Sequence, residues 1–321
     1  NWENLFFRIT GVGTEKLPEL VKSTDLVGTL SKKAAKEMGL GTHLKVYGGC
    51  DDTQAAAVGT TAISEGEAHI YTGTSAWVGV TTKQAPKFKN GVFCLQSADP
   101  TKNLIVGITE SAGVNTEWLL QNFYQNELNR MTKEAVYQLM EKEVKKTPEG
   151  AEYLIMTPWF LGERCPVSNT TTRSTLFNLT HQHTRGHIAR ANLEGIAHNL
   201  KWAMENIERD FKFQITSLKV TGGGSQNDSW MQIIADITER KIMTTSQPLN
   251  AGAMGAAVVA MVGYGTLNDF GEIGKMIHVT HTFHPRTKFS KLYREIHQTY
   301  RSVYTNLSQT YQTLNKKRFE Q

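Results

Sequence analysis

Cysteine is scarce in this chain: three in 321 residues, at Cys50, Cys94 and Cys165, widely spaced and without a CxxC pair. An odd, scattered set excludes a disulfide scaffold and fits a reducing compartment, so the expected location is cytoplasmic. Nowhere do 18 apolar residues run together, which excludes a membrane-spanning helix and leaves no membrane partner expected. A strong charge of one sign is missing too. The 35 Lys and Arg against 30 Asp and Glu leave +5, and the basic residues are scattered. The one basic cluster, Lys316-Lys317-Arg318, reads as a solvated helix end rather than a nucleic-acid arm, so no nucleic acid is expected as a partner. Internal repeats and low-complexity stretches are absent. The chain opens without Met or a signal peptide, and Asn-Trp-Glu-Asn-Leu-Phe-Phe reads as the middle of a helix; the natural N-terminus is therefore expected upstream.

What is present is an ordinary globular composition, 39% hydrophobic and 20% charged, in a chain long enough for two domains. After a helical opening, Ser31–Met38 reads as a helix and Leu44–Tyr47 as a short strand running into Gly48-Gly49. Next comes Asp51-Asp52-Thr-Gln-Ala-Ala-Ala-Val-Gly59, an acidic cap before good helix formers, with glycine expected to close the helix. Ala68–Val80 reads as strand, tight turn, strand, around Gly73. Further strands are expected at 92–95, 104–108 and 217–220. Helices are expected at 113–124, 133–145, 184–209, from Asp228, and at 251–262, with Ile188, Leu193, Ile196 and Leu200 marking an apolar stripe. His278, His281 and His284 fall in a connector before a C-terminal helix. Strands clustered first, then helices alternating with single strands, point to a mixed α/β domain.

Three turns containing glycine follow strands: Gly48-Gly49, Thr72-Gly-Thr-Ser75 and Thr221-Gly-Gly-Gly-Ser225. Such turns offer backbone N–H groups and hydroxyls at one spot, and a following helix adds its positive end, which suits polyphosphate. One alone would be read as a tight turn; three on different strands carry more weight. They are not the commoner nucleotide motifs. No GxxxxGK[ST] occurs, Asn227 stands where a dinucleotide fingerprint needs its third glycine, and the protein-kinase HRD and DFG are absent.

A resemblance becomes specific in six segments. Gly48-Gly-Cys-Asp-Asp-Thr-Gln-Ala-Ala-Ala-Val-Gly59, Tyr71-Thr-Gly-Thr-Ser75, Pro158-Trp-Phe-Leu-Gly-Glu-Arg-Cys-Pro166, His187-Ile-Ala-Arg-Ala-Asn-Leu-Glu-Gly-Ile-Ala197, Thr221–Asp236 and Ala251–Ala257 resemble, in order, segments of the FGGY carbohydrate kinases. The resemblance implies an α/β fold of the actin-like, ribonuclease-H-like type: a mixed sheet flanked by helices, with ATP between two domains. It implies that residues 1–62 are the end of the sugar-binding N-terminal domain and 63–321 the nucleotide-binding C-terminal domain. Two departures stand out: Asn178 where the family has glycine, which Asn can replace in a left-handed turn, and Asn192 where the family has a small or aliphatic residue. The family's Asp-x-Gly-Thr segment, which helps hold Mg²⁺ and phosphates, is not in this sequence, so this chain alone is expected to turn over sugar poorly or not at all.

By that resemblance Asp52, aligned by counting back from Gly59, is the catalytic base that takes the proton of a sugar hydroxyl. A simple helix cap is the competing role. Asp51 reads as structural, and Thr53 as a substrate contact. Gly73 and Thr74 resemble the phosphate turn, Gly113 a glycine near the phosphates, and Gly223, Gly224 and Asn227 the adenosine site. ATP and Mg²⁺ are the implied cofactors and a small sugar the implied partner; a homodimer stays open. The segments Gly-Thr-Ser-Ala-Trp and Gly-Cys-Asp-Asp-Thr look most like pentulose kinases acting on D-xylulose. Glycerol, gluconate or ribulose kinases, or a non-catalytic actin-like ATP-binding protein, are the alternatives. His181, His183 and His187 mimic metal-ligand spacing without a fourth ligand nearby, and no metal ligand is assigned. Glu163-Arg164 reads as a structural pair at the cleft.

Overall fold

The structure, a computed structural model, describes residues 4–316 apart from 86, 88–90 and 213. Lys317, Arg318 and the first residues of the opening helix lie outside the described residues. Helices are α1 (Asn4–Thr10), α2 (Lys32–Met38), α3 (Asp52–Gly59), α4 (Gly113–Phe123), α5 (Gln125–Leu128), α6 (Lys133–Lys146), α7 (Arg185–Phe211), α8 (Asp228–Thr238), α9 (Ala251–Tyr264) and α10 (Ser290–Asn315). Strands are β1 (Leu26–Thr29), β2 (Lys45–Tyr47), β3 (Ala68–Thr72), β4 (Ala76–Thr82), β5 (Val92–Gln96), β6 (Asn103–Thr109), β7 (Ile155–Met156), β8 (Leu176–Phe177), β9 (Ser217–Thr221), β10 (Lys241–Thr245) and β11 (Val279–Phe283). Among the described residues no helix is long and apolar enough to cross a membrane.

Seven strands form one sheet in the order β11-β10-β9-β3-β4-β6-β5. Strands β3, β9 and β10 run parallel, and the other pairings are antiparallel. Alternation along the strands separates two cores. Val78, Val80 and Ile105 face one way, into the main core with Ile196, Leu200 and Ala203 of α7 and Ile233 and Ile234 of α8. Trp77, Leu104 and Val106 face the other way, against Ala56 and Ala57 of α3. Both faces are thus covered by helices, and this is why β4 is buried along its whole length. The stripe expected on α7 is buried, but so are residues all around that helix, including Arg190 and Glu194, which pair at 2.7 Å.

Several elements differ from the sequence reading. The stretch around His281 is a strand, not a connector: β11 pairs with β10, Ile242 opposite Phe283. It is an edge strand, largely exposed, so burial imposes no alternation on it and the ladder alone defines it. Gly59 is the last residue of α3, as expected, and the C-cap that follows is Thr60 in right-handed geometry. Strand β1, pairing with β2, is also additional, as are β7, β8, β10 and the short helix α5. Many of the exposed large apolar side chains, among them Leu20, Val21, Leu26, Val27, Met38, Leu40 and Val46, belong to the first 46 residues.

Candidate functional site

Parallel strands β3 and β9 deliver two of the glycine turns to the same end of the sheet. Thr72 Oγ donates to the Thr221 carbonyl at 2.9 Å. Gly222 follows with φ +89, and a side chain there would meet the Thr72 carbonyl oxygen at 2.4 Å, so only glycine allows this approach. The loop before α9 closes the other side: the Pro248 carbonyl accepts from Gly222 N–H at 2.9 Å and from Thr221 Oγ at 2.6 Å.

The start of α4 docks onto the first of these turns. Gly113 N–H donates to the Gly73 carbonyl at 2.9 Å, while Ala112 and Val114 N–H both donate to the Thr74 carbonyl, at 3.0 and 3.2 Å. A Cβ on Gly113 would lie 2.5 Å from the Gly73 oxygen. Gly73, Thr74 and Gly113 are therefore one unit, with Gly222–Gly224 on the adjoining strand. Thr74 is exposed. Among the described residues the Thr74 and Ser75 amides donate to no partner, an arrangement open to an anion. Beneath them Tyr71 stacks on Trp77 with ring centroids 4.0 Å apart.

The two glycines expected at an adenosine site differ. Gly223 is exposed, and nothing lies within 4 Å of where its side chain would be. Gly224 faces the Trp230 ring, and a Cβ added there would lie 2.1 Å from it, so its lack of a side chain serves the indole packed beneath it. Asn227 is the N-cap of α8, its Oδ1 accepting from Trp230 N–H at 2.9 Å. One end of the amide is thereby committed, leaving Nδ2 as the end able to reach a ligand.

At α3 the cap belongs to Asp51, not Asp52. Asp51 Oδ1 accepts from Gln54 N–H at 2.9 Å, and Gln54 Oε1 accepts from Asp51 N–H at 3.1 Å, a complete capping box. Asp52 occupies the first helical position with an exposed carboxylate whose one hydrogen bond among the described residues is from the buried Thr53 hydroxyl at 3.3 Å. No hydrogen bond among the described residues joins Asp52 to the two glycine turns. What anchors its helix is α9. A Cβ on Gly59 would lie 1.8 Å from the Ala251 oxygen, and one on Gly255 1.9 Å from the Ala55 oxygen. The helices therefore cross backbone to backbone, and α9 begins just after the Pro248 that clamps Gly222. Gln54 adds a second anchor through Nε2 to the Gln96 carbonyl at 2.7 Å. Its role was readable as Asp-x-x-Gln, a capping-box pattern.

Glu163 and Arg164 do not pair with each other. The Arg164 guanidinium pairs with Glu110. Glu163 is buried: Oε1 accepts from Glu110 N–H at 2.7 Å and Arg164 N–H at 2.9 Å, and Oε2 accepts from Asn199 Nδ2 at 2.7 Å. Burial pushes its carboxyl up to about 8, against the opposing pull of those donors. Two of the three histidines near 184 serve local turns: His187 Nδ1 accepts from Thr184 N–H at 3.1 Å, and His183 Nδ1 from Thr180 N–H at 3.0 Å. Asn178 has φ +67, the left-handed conformation expected of it.

Residues 68–264 match the family model for the C-terminal domain of the FGGY family of carbohydrate kinases. The chain belongs to the FGGY family. Residues 1–59 match the model for the family's N-terminal domain. Among characterised FGGY proteins, the xylulose kinase of Bacillus subtilis is 29% identical over 307 residues, 95% of this chain and 60% of the relative. The gluconokinase of the same organism is 26% identical over 312 residues, 96% of this chain and 60% of the relative. The chain thus spans about 60% of the length of these relatives. The crystal structure of a ligand-bound xylulose kinase from Lactobacillus acidophilus superposes with a TM-score of 0.88 at 25% identity, covering 98% of this chain and 62% of that one. The gluconate kinase from L. acidophilus gives 0.87 at 25%, with the same coverage. The fold is that of the actin-like FGGY kinases, an α/β architecture with a mixed sheet flanked by helices.

Proposed function

We propose that this chain is the nucleotide-binding part of an ATP-dependent carbohydrate kinase, joined to the end of its sugar-binding domain, with the division near residue 62. The observation that carries this reading is the union of the Gly73-Thr74 turn, the start of α4 and the Gly222–Gly224 turn at one end of parallel strands. The adenosine would lie along Gly223, Gly224 and Asn227, where the space beside Gly223 is open, and the phosphates would reach Gly73, Thr74 and Gly113. In the transfer, the sugar hydroxyl oxygen bonds to the γ-phosphorus, the bond to the bridging β–γ oxygen breaks, and ADP leaves. The hydroxyl proton passes to Asp52, with Thr53 beside it. Positioning and charge stabilisation are the protein's main contributions to such a step.

Among the described residues no three His, Cys, Asp or Glu side chains gather where an ion could be held. Mg²⁺ is commonly held by one or two carboxylates together with the phosphates of the nucleotide, so in such a transfer it would arrive with ATP and neutralise charge on the phosphates. The acceptor we infer is a pentulose such as D-xylulose, supported by the Gly-Thr-Ser-Ala-Trp and Gly-Cys-Asp-Asp-Thr segments and by the xylulose kinase relatives. Gluconate is the second reading, because gluconokinases match at similar identity.

Calorimetric titration of the 321-residue chain with ATP should give saturable binding, and its absence would overturn the nucleotide reading. Phosphorylation of D-xylulose should require the chain extended by the remainder of an FGGY N-terminal domain. Robust turnover by the 321-residue chain itself would show that this remainder is dispensable.

A further inference from the structure

Glu163 is a titratable side chain buried where no sugar or nucleotide has been placed. It is 2% exposed and sits in the loop after β7, whose own backbone is held by mutual bonds with Asn169 at 2.9 and 3.0 Å. Every contact its carboxyl makes is with a donor: the amides of Glu110 and Arg164 at Oε1, that of Cys165, and the Asn199 side chain at Oε2. Asn199 is itself fixed by Trp159 Nε1 and Tyr300 OH, each donating to its Oδ1 at 3.1 Å. The charged and titratable groups around the carboxyl are Arg164 and Glu110, which pair with each other on its outer side, the buried Cys165 thiol, and Tyr300 from α10.

Glu110 opens the short segment Glu110–Gly113 that leads from β6 into α4. A few residues further on, the amides of 112, 113 and 114 hold the carbonyls of Gly73 and Thr74. A rigid path therefore runs from α7 through Asn199 and Glu163 to the Glu110 amide and on to the turn. We propose that Glu163 is a positioning residue for the phosphate end of the nucleotide site: its carboxylate fixes Glu110–Gly113 and through it the conformation of the Gly73-Thr74 turn. The inference rests on the nucleotide reading of that turn.

Gln in place of Glu163 keeps the shape but not the chemistry. Whichever way the amide is turned, its NH2 faces a donor, either Asn199 Nδ2 or the amides of 110 and 164. At about pH 9, where the carboxyl is ionised, Glu163→Gln in the 321-residue chain should speed amide exchange across 110–114 and weaken ATP by roughly tenfold or more, as expected when a charged acceptor of buried donors is lost. Adenosine, which has no phosphates to place, should bind as before. Unchanged ATP affinity, equal weakening of ATP and adenosine, or unchanged exchange at 110–114 in a folded variant would each overturn the proposal. If Glu163→Gln does not fold, the unaltered chain decides it. Since burial raises this carboxyl to about 8, lowering the pH from about 9 to about 7 protonates it. ATP affinity and the protection of 110–114, corrected for intrinsic exchange, should then fall together while adenosine affinity stays level; flat profiles overturn the proposal. If the unaltered chain binds adenosine but no ATP, the phosphate-turn reading fails on its own, and exchange at 110–114 still reports whether Glu163 holds the segment.

Discussion

Asp51 and Asp52 are adjacent carboxylates at one helix start, and since Asp51 caps the helix while Asp52 does not, substitution can read the two independently. Removing Asp51 with alanine deletes the acceptor of the Gln54 amide, while Gln54 Oε1 can still accept from the residue 51 amide. Loss of such a cap costs about 1 kcal/mol, within a range of roughly 0.5–2. For a chain of this size that corresponds to about 2 °C in melting temperature. Asp51→Asn should cost nothing measurable, because Asn caps as well as Asp. Asp52 caps nothing, so Asp52→Asn should leave the melting curve in place. In a chain extended to the length of its relatives, however, Asp52→Asn removes the group proposed to take the hydroxyl proton, and turnover should drop by roughly 10²–10⁴-fold. Differential scanning calorimetry on the 321-residue chain and an ADP-release assay on the extended one make the two measurements. If Asp51→Ala melts like the unaltered chain, the capping geometry is wrong. If Asp52→Asn turns over normally while Asp51→Asn does not, the catalytic register is off by one residue.

The adenosine side offers a similar separation. Asn227→Ala removes both the α8 cap and the Nδ2 donor, so it should lower the melting temperature by about 2 °C and weaken adenosine binding. Asn227→Asp keeps the cap, so only the binding should suffer; undiminished adenosine affinity in Asn227→Asp would exclude Nδ2 as an adenine contact. Gly223→Ala should fold normally, since nothing lies within 4 Å of the added carbon, yet weaken ATP as seen by calorimetry. Gly224→Ala should instead destabilise by about 1–3 kcal/mol, because its methyl would strike Trp230; equal melting of the two variants would contradict this. Gly255→Ala meets the Ala55 carbonyl at 1.9 Å and should lower the melting temperature by several degrees despite the better helix propensity of alanine. A higher melting temperature would mean that α3 and α9 can separate at no cost.

Much of this protein was legible in its residues because the relevant signals are local. The β3–β4 hairpin follows from β-branched and aromatic residues on either side of Gly73, α8 from Asn227 and Asp228 at its start, and the glycine turns from their own composition. Their order pointed to a mixed α/β domain, and the family resemblance of the segments that carry them implied an actin-like fold and nominated Asp52, Thr74 and Gly113. Other features depend on neighbours distant in sequence. That Gly224 answers to Trp230, that Gly59 and Gly255 also permit a backbone crossing, and that residues 279–283 form an edge strand all rest on contacts the linear order does not contain. Glu163 makes the point most sharply. Next to Arg164 it reads as half of an ion pair, and only the folded chain turns that arginine toward Glu110 and buries the carboxylate among amides. The sequence alone decided which turns and caps could form, because a residue's backbone preferences travel with it. Tertiary structure decided which of those groups meet, because desolvation and close packing belong to the assembled sheet and helices and not to any one segment.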